Sequence, residues 1–329
     1  MKLCFNLNAD IQRLCFSPET MGQLAALADL RPEAPAKLTP DWLRTQAADC
    51  DGVICGWSSL PIDDALLDAA PRLRLALHSA GSIRSFETPA MWRRGVRVTS
   101  AANVNGISVA EFALGLVLMC LRDVFGQIER FRAHGRAGWK HPPLLSYYGT
   151  TVGVIGMGNV GKHLLKLLGA FQFKTLVHSF YPFGPQAAAA GAECVEIDEL
   201  MARSDAVVLL APNIEAYHHL IDARRLALLR DGRFFINPGR GALVDEAALL
   251  AELQSGRLTA CLDVTDPEPP VEGSPLYSLP NCILTPHVAG STDAECLRLG
   301  DQIVVELRRY LAGEPFDNEI TEELSRMIG

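Results

Sequence analysis

Three segments in the C-terminal half of the chain each end an apolar run with a side chain able to do chemistry. FFINPGRGALVDE places Arg240 just after a run typical of a buried strand. ACLDVTDPEPP places Asp263 and then Glu268 after the next, and CILTPHVAGST places His287 after the last. In open α/β sheets ligands bind beyond the carboxyl ends of the strands, so successive strand ends converge on one place. An Arg, a Glu and a His together suit the reduction of a 2-oxo acid. Its carbonyl oxygen needs a proton as hydride arrives at carbon, and a His delivers protons near neutral pH. A carboxylate paired with a His favours the imidazolium and fixes the ring. The planar, permanently charged guanidinium of Arg suits the substrate carboxylate. Each residue taken singly has a plainer reading, as a surface ion-pair former, a capping or core His, or a solvated Glu. Their order on successive strand ends makes the case.

A hydride needs a donor. Gly156-Met157-Gly158-Asn159-Val160-Gly161 fits G-x-G-x-x-G, after the apolar run Val152–Ile155 and at the start of a helical pattern. The first Gly permits the tight turn, the second lets backbone approach a pyrophosphate, and the third lets helix and strand pack closely. The amides around Asn159 and Val160 then face the diphosphate at a helix N-terminus. The following strand reads TLVHSFYPFG, with no Asp or Glu where NAD-binding folds usually carry one. Ser179 stands there. It can hydrogen-bond a ribose hydroxyl but repels no 2′-phosphate, and Phe180, Tyr181, Pro182 and Phe183 supply no cation. Relaxed selectivity is expected: NAD is used and NADP is not excluded.

The elements that must position these groups alternate β and α. LCFNL (3–7), DGVICGW (51–57) and LRLALHSAG (73–81) predict strands, with PETMGQLAALADL and PIDDALLDAA as helices between them. Apolar residues at Val109, Phe112, Leu116 and Met119 predict one long helix over Gly106–Gly135. After the glycine turn a helix is predicted over Asn159–Phe171. KTLVH, AVVLLAP, GRFFINPG, TACLDV and NCILTPH predict further strands. A last helix, Asp293–Ala312, is long enough to return to the first domain. The layout is thus an α/β chain with parallel sheets, split into 1–101 plus 294–329 and 102–293.

Composition narrows the partners. The chain has 329 residues, 49% hydrophobic and 21% charged, which is enough for two domains of ordinary soluble make-up. A net charge of −8 without a basic run argues against nucleic acid and anionic membranes. The apolar run Phe112–Leu121 is too short to span a bilayer. The N-terminus MKLCFNLNADIQR turns polar too early for a signal peptide. Nine scattered cysteines with no CxxC read as reduced and cytoplasmic, and no metal is expected.

From DGVICGW to the C-terminal helix, and most closely through TTVGVIGMGNVG, NPGRGALVDEAAL, ACLDVTDPEPP and LTPHVAGST, the chain resembles the D-isomer-specific 2-hydroxyacid dehydrogenase family. The resemblance implies two Rossmann-like doubly wound parallel-sheet domains with an active-site cleft between them. Residues 1–101 and 294–329 would form the substrate domain and 102–293 the dinucleotide-binding domain. It implies a homodimer built through the cofactor domain and its long helix. The implied reaction is hydride transfer between NAD(P)H and the carbonyl of a small 2-oxo acid such as glyoxylate, hydroxypyruvate or pyruvate, giving a D-2-hydroxy acid. On matching positions, Arg240 binds and polarises the oxo acid, His287 is the general acid/base, and Glu268 pairs with it. Asp263 contacts the nicotinamide carboxamide, and the backbone at Ala211 and at Pro238, Gly239 and Arg240 makes other cofactor contacts. HSAGS matches the loop whose amides, at Ala80, Gly81 and Ser82, bind the substrate carboxylate.

The chain also departs from that pattern. Several members carry an Asp after the HSAG-like loop, where this chain has SIRSF and Arg84. That Arg is either an exposed residue at a helix start or a second cation for a distal acid group. Gly56-Trp57 stands where phosphoglycerate-specific members tend to have Arg, which weakens a phospho-substrate. Trp57 is either an apolar wall or a core residue. A non-catalytic NAD-sensing or partner-binding protein on the same fold is the alternative, since fold does not fix function. Such a protein needs the pocket but not the proton donor. Formate oxidation needs no proton donor either and pairs its His with Gln, so Glu268 argues against it.

Overall fold

A computed structural model describes residues 1–31, 33–180 and 184–328. The chain divides into two compact units, Met1–Gly106 with Ser291–Gly329, and Ile107–Gly290. The expected boundaries are 101/102 and 293/294; the first observed boundary falls inside the helix Ala102–Leu121.

In the first unit the strands are β1 (Lys2–Asn6), β2 (Asp29–Leu30), β3 (Gly52–Cys55), β4 (Leu75–His78) and β5 (Arg97–Ser100). The second unit holds β6 (Thr151–Ile155), β7 (Lys174–His178), β8 (Ala192–Cys194), β9 (Ala206–Leu209), β10 (Arg233–Asn237), β11 (Leu258–Leu262) and β12 (Cys282–Leu284). The last strand, β13 (Glu319–Ile320), belongs to the first unit and is followed by the helix Glu322–Ile328.

The first sheet runs β13-β5-β4-β3-β1-β2, parallel except that β13 pairs antiparallel with β5. Along its strands side chains alternate between two cores. Leu3, Phe5, Ile54, Leu75 and Leu77 meet the helices Pro18–Leu27 and Leu297–Ala312 on one face. Cys4, Val53, Cys55 and Ala76 meet Pro40–Ala47 and Asp64–Ala69 on the other. Strands buried on both faces read as continuous apolar runs, which explains why GVIC and LALH look alike in sequence.

The second sheet, β12-β11-β10-β9-β6-β7-β8, is parallel throughout. Val152, Val154, Ala206, Val208, Phe234 and Ile236 face the helices Ala102–Leu121 and Asn159–Leu168. Ile155, Val207, Leu209, Phe235, Ala260 and Leu262 face Ile197–Arg203, Ala223–Leu228 and Glu246–Gln254. The chain builds outward from β6 through β7 to β8, then returns to β9 on the other side. The switch point therefore lies between β6 and β9, at the glycine turn.

Two expectations are corrected here. The single helix expected over Gly106–Gly135 is two, Ala102–Leu121 and Val124–His134. Asp123 breaks it in a left-handed conformation, φ 48°, with its amide on Cys120 O (2.7 Å) and its carboxylate accepting from Gln127 Nε2 (2.7 Å). Asp tolerates this region better than most residues because its short side chain bonds locally. A Cβ on Gly126 would lie 2.4 Å from Asp123 Oδ1, so glycine leaves room for that carboxylate. The second correction concerns length. The helix carrying Phe112–Leu121 has 20 residues, and its mean hydropathy of 1.9 makes it long and apolar enough to cross a membrane. Half of that window is buried, with Ala110, Ala113, Val117 and Leu121 packed in the sheet core, as in a core helix.

Candidate active site

The glycine turn follows β6. Gly156 sits at φ +109°, and a Cβ there would lie 2.4 Å from Leu210 O, so only glycine fits. A Cβ on Gly161 would lie 2.2 Å from Gly156 O, which explains the close helix–strand approach. Gly158 differs: a Cβ there would meet nothing within 4 Å. It opens the helix Asn159–Leu168 as an N-cap without a side-chain cap, leaving the first amides for a ligand. Clear space at the second glycine and uncapped amides behind it fit a dinucleotide pyrophosphate.

The rest of the expected cofactor surface comes from neighbouring strand ends. Ala211 lies just beyond β9, 6% exposed, and Pro238 and Gly239 follow β10. At the end of β7, His178 Nδ1 lies 3.1 Å from Val195 O, and just beyond the strand Phe180 packs against Tyr217 with ring centroids 4.2 Å apart. Ser179 lies between them. Tyr181, Pro182 and Phe183 lie outside the described residues.

Arg240 is positioned by two residues that the sequence did not single out. Asn237, buried at the end of β10, accepts the Gly239 amide at Oδ1 (3.1 Å) and donates Nδ2 to Arg240 O (3.0 Å). Gly241 passes so close to β11's exit that a Cβ would lie 2.0 Å from the carbonyl of Thr265. The guanidinium donates Nη1 to Gly239 O (2.7 Å) and makes no ion pair with a described carboxylate. Burial pushes its pKa down from the ordinary value, and the Glu268 charge partly opposes this. A half-sheltered cation without an anion suits an anionic ligand.

Glu268 and His287 meet. His287 Nδ1 lies 2.5 Å from Glu268 Oε1, with both side chains roughly half exposed. A carboxylate only accepts, so Nδ1 carries the proton and Nε2 is left for chemistry. His287 sits at φ +54°, its amide shared between Asp263 O and Thr285 O (both 3.0 Å). A cavity of about 870 Å³ opens beside the pair, walled by Leu276, Tyr277, Cys282 and Leu284.

Asp263 is 2% exposed and braces this turn. Its Oδ1 accepts Thr285 Oγ1 (2.6 Å) and the Val288 amide (2.9 Å), and Oδ2 accepts the Ala289 amide (2.9 Å). The family resemblance implies a cofactor contact for Asp263, and the sequence shows nothing of the brace. The signal was Thr285, one residue beyond β12 and able to donate back to β11's end.

In the first unit, Ala80 is buried, Gly81 half-buried and Ser82 exposed beyond β4. The amides of Ala80, Gly81, Ser82 and Ile83 donate to no other described residue. Trp57 is 43% exposed, which removes the core reading. Arg84 is exposed and lies 3.9 Å from Glu87. Among the described residues no group of three or more His, Cys, Asp or Glu could hold a metal ion.

Residues 114–289 match the D-isomer specific 2-hydroxyacid dehydrogenase, NAD binding domain. The cofactor is NAD(P). D-3-phosphoglycerate dehydrogenase of Mycobacterium leprae is 34% identical over 260 residues, 78% of this chain and 48% of that protein. The chain thus spans about half the length of the phosphoglycerate relatives it matches. Glyoxylate reductase of Aeropyrum pernix is 30% identical over 275 residues, 81% of this chain and 82% of that one. The solved glyoxylate reductase of Paecilomyes thermophila superposes with a TM-score of 0.80 at 26% identity, covering 98% and 99% of the two chains. With two Rossmann-type sheets, a glycine turn shaped for a dinucleotide and a His–Glu pair at neighbouring strand ends, the chain belongs to the D-isomer specific 2-hydroxyacid dehydrogenase family.

Proposed function

We propose that the protein reduces a small 2-oxo acid to the D-2-hydroxy acid with NAD(P)H. The observation that carries this reading is the Glu268–His287 pair, 2.5 Å apart, on the strands next to an Arg240 that has no carboxylate partner among the described residues. A protein that only sensed NAD would need neither the oriented proton donor nor the unpaired cation. Bound NAD(P)H supplies the hydride. The backbone at Gly156–Gly161 holds its diphosphate. Arg240 receives the oxo acid and draws electron density toward the carbonyl oxygen. The His287 ring, doubly protonated for this step, gives its Nε2 proton to that oxygen as the carbonyl carbon is reduced and is left neutral, with Nδ1–H still held by Glu268. The amides at Ala80–Ser82 receive the substrate carboxylate.

Glyoxylate, hydroxypyruvate and pyruvate are the substrates to try first. Gly56-Trp57 offers no cation for a phosphate. A homodimer is supported by the helix Val124–His134, which buries none of its residues, and by exposed Ile128, Phe131 and Trp139, the last at 76%. Nine free cysteines support a reducing, cytoplasmic setting. The test is a panel of 2-oxo acids with NADH and NADPH in parallel. Turnover that falls at least roughly a hundredfold in Arg240→Ala supports the reading. Absence of turnover on the whole panel sinks it.

A further inference from the structure

We infer that His78 is a positioning residue that turns the Ile83 amide toward the substrate carboxylate, extending by one residue the Ala80–Ser82 loop assigned to it above, an inference resting on that assignment. His78 ends β4 and is 0% exposed. Its Nε2 lies 3.0 Å from Ser82 O. A carbonyl oxygen only accepts, so Nε2 carries the proton and the neutral ring leaves Nδ1 bare. Nδ1 is buried and has no partner among the described residues.

That arrangement is costly if His78 only fills space. The ring packs on Phe86, centroids 5.0 Å apart, and Phe86 belongs to the apolar core that also holds Ile83 and Ala76. Leu or Phe would pack there without an orphaned nitrogen. What the imidazole adds is one hydrogen bond to the loop.

The effect of that bond follows from peptide geometry. The peptide unit is planar and trans, so the C=O of one residue and the N–H of the next point in opposite directions. Holding Ser82 O toward His78 turns the Ile83 N–H away from it. A second clamp acts one peptide earlier but one, where the Ala101 amide donates to Ala80 O at 3.0 Å and turns the Gly81 N–H the same way relative to its own clamp. The Gly81 and Ile83 amides have no acceptor among the described residues. The Gly81 amide, within the Ala80–Ser82 loop, and the Ile83 amide, one residue beyond it, flank Ser82 without a described acceptor and are free to serve an anion, and His78 sets the second. The ring does this without charge, since burial pushes its pKa down to about 4.

The test is steady-state kinetics on wild type, His78→Phe, His78→Asn and His78→Gln. The substrate is whichever of glyoxylate, hydroxypyruvate and pyruvate gives the highest kcat/KM, run beside its methyl ester. Phe has no donor and the Asn amide is too short to reach Ser82 O, whereas Gln places a donor near the Nε2 position. Phe and Asn should each raise KM for the acid by roughly threefold to tenfold, with kcat little changed, and lower the preference for acid over ester by the same factor. Gln should keep most of that preference, and KM for NAD(P)H should not move. Asn serves as the readout if Phe does not fold. An unchanged acid-over-ester preference in the donorless variants overturns the inference while leaving the loop assignment standing. A wild-type enzyme with no preference for the acid overturns the assignment and the inference with it.

Discussion

Asp263 holds Ala289 by its backbone, Oδ2 to N at 2.9 Å, across the gap between neighbouring strand ends. With Thr285 and Val288 on the other oxygen, this carboxylate fixes the turn on which His287 stands in a left-handed conformation. Asp263→Asn replaces an acceptor by a donor facing an amide. It should destabilise the protein by about 2–3 kcal/mol and lower kcat through a misplaced His287. Thermal melts and kcat measured together check this. A variant whose only defect is a raised KM for NAD(P)H would return Asp263 to a purely cofactor-contacting role.

Two glycines should respond oppositely to alanine. Gly241→Ala forces a Cβ to 2.0 Å from Thr265 and should cost about 3 kcal/mol along with most activity, because the Arg240 loop must move. Gly158→Ala meets no protein atom. Its stability should stay within about 1 kcal/mol of wild type, while NAD(P)H affinity, read by fluorescence titration, should fall at least roughly tenfold.

Glu268→Gln removes the charge beside His287 but keeps its shape. Both side chains are roughly half exposed, so stability should change by no more than about 0.5 kcal/mol. Turnover should fall roughly tenfold to a hundredfold. Circular dichroism melts beside kcat separate the two effects.

His78 links stability to pH. Its pKa falls from an ordinary 6.5 to about 4 on burial. Between those values the unfolded chain binds a proton that the folded chain refuses, so stability rises with pH through the window. The contribution is complete above about pH 6.5 and is lost as pH falls toward 4, up to about 3 kcal/mol. Denaturant melts of wild type across that range should show this fall, and those of His78→Gln, which has no titrating ring, should lack it.

Ser179→Asp tests cofactor choice. The new carboxylate should repel a 2′-phosphate and shift the NADH-over-NADPH ratio of kcat/KM by more than roughly tenfold. No shift would place the control of selectivity elsewhere in the pocket.

The alternation of buried strands with helices, and the polar groups at their ends, could be read directly from sequence because each strand of a doubly wound sheet is apolar on both faces. Arg240, Glu268 and His287 stood out for that reason. What the sequence hid was local and side-chain-mediated. Nothing at Arg122-Asp123 announces a helix break, since the left-handed turn there is held by an Asp carboxylate and Gln127 rather than by Gly or Pro. Asn237 reads as an ordinary strand end until its amide is seen to close the Arg240 loop. His78 reads as one more residue of LALH, because a buried hydrogen bond to a carbonyl four residues on leaves no periodic trace. The two-residue strands β2 and β13 are too short to carry a pattern.

β12 is an outer strand of its sheet, three residues long, half-buried throughout and paired on one side only. Edges of this kind are where a native protein opens first, by local excursions far cheaper than global unfolding. His287, the proton donor of the proposed reaction, is therefore mounted on a segment that would fray if the strand ladder alone held it. The three bonds to the Asp263 carboxylate raise the free energy of that opening. Amide hydrogen exchange should show it as slow exchange at Val288 and Ala289, out of keeping with their place at a sheet margin.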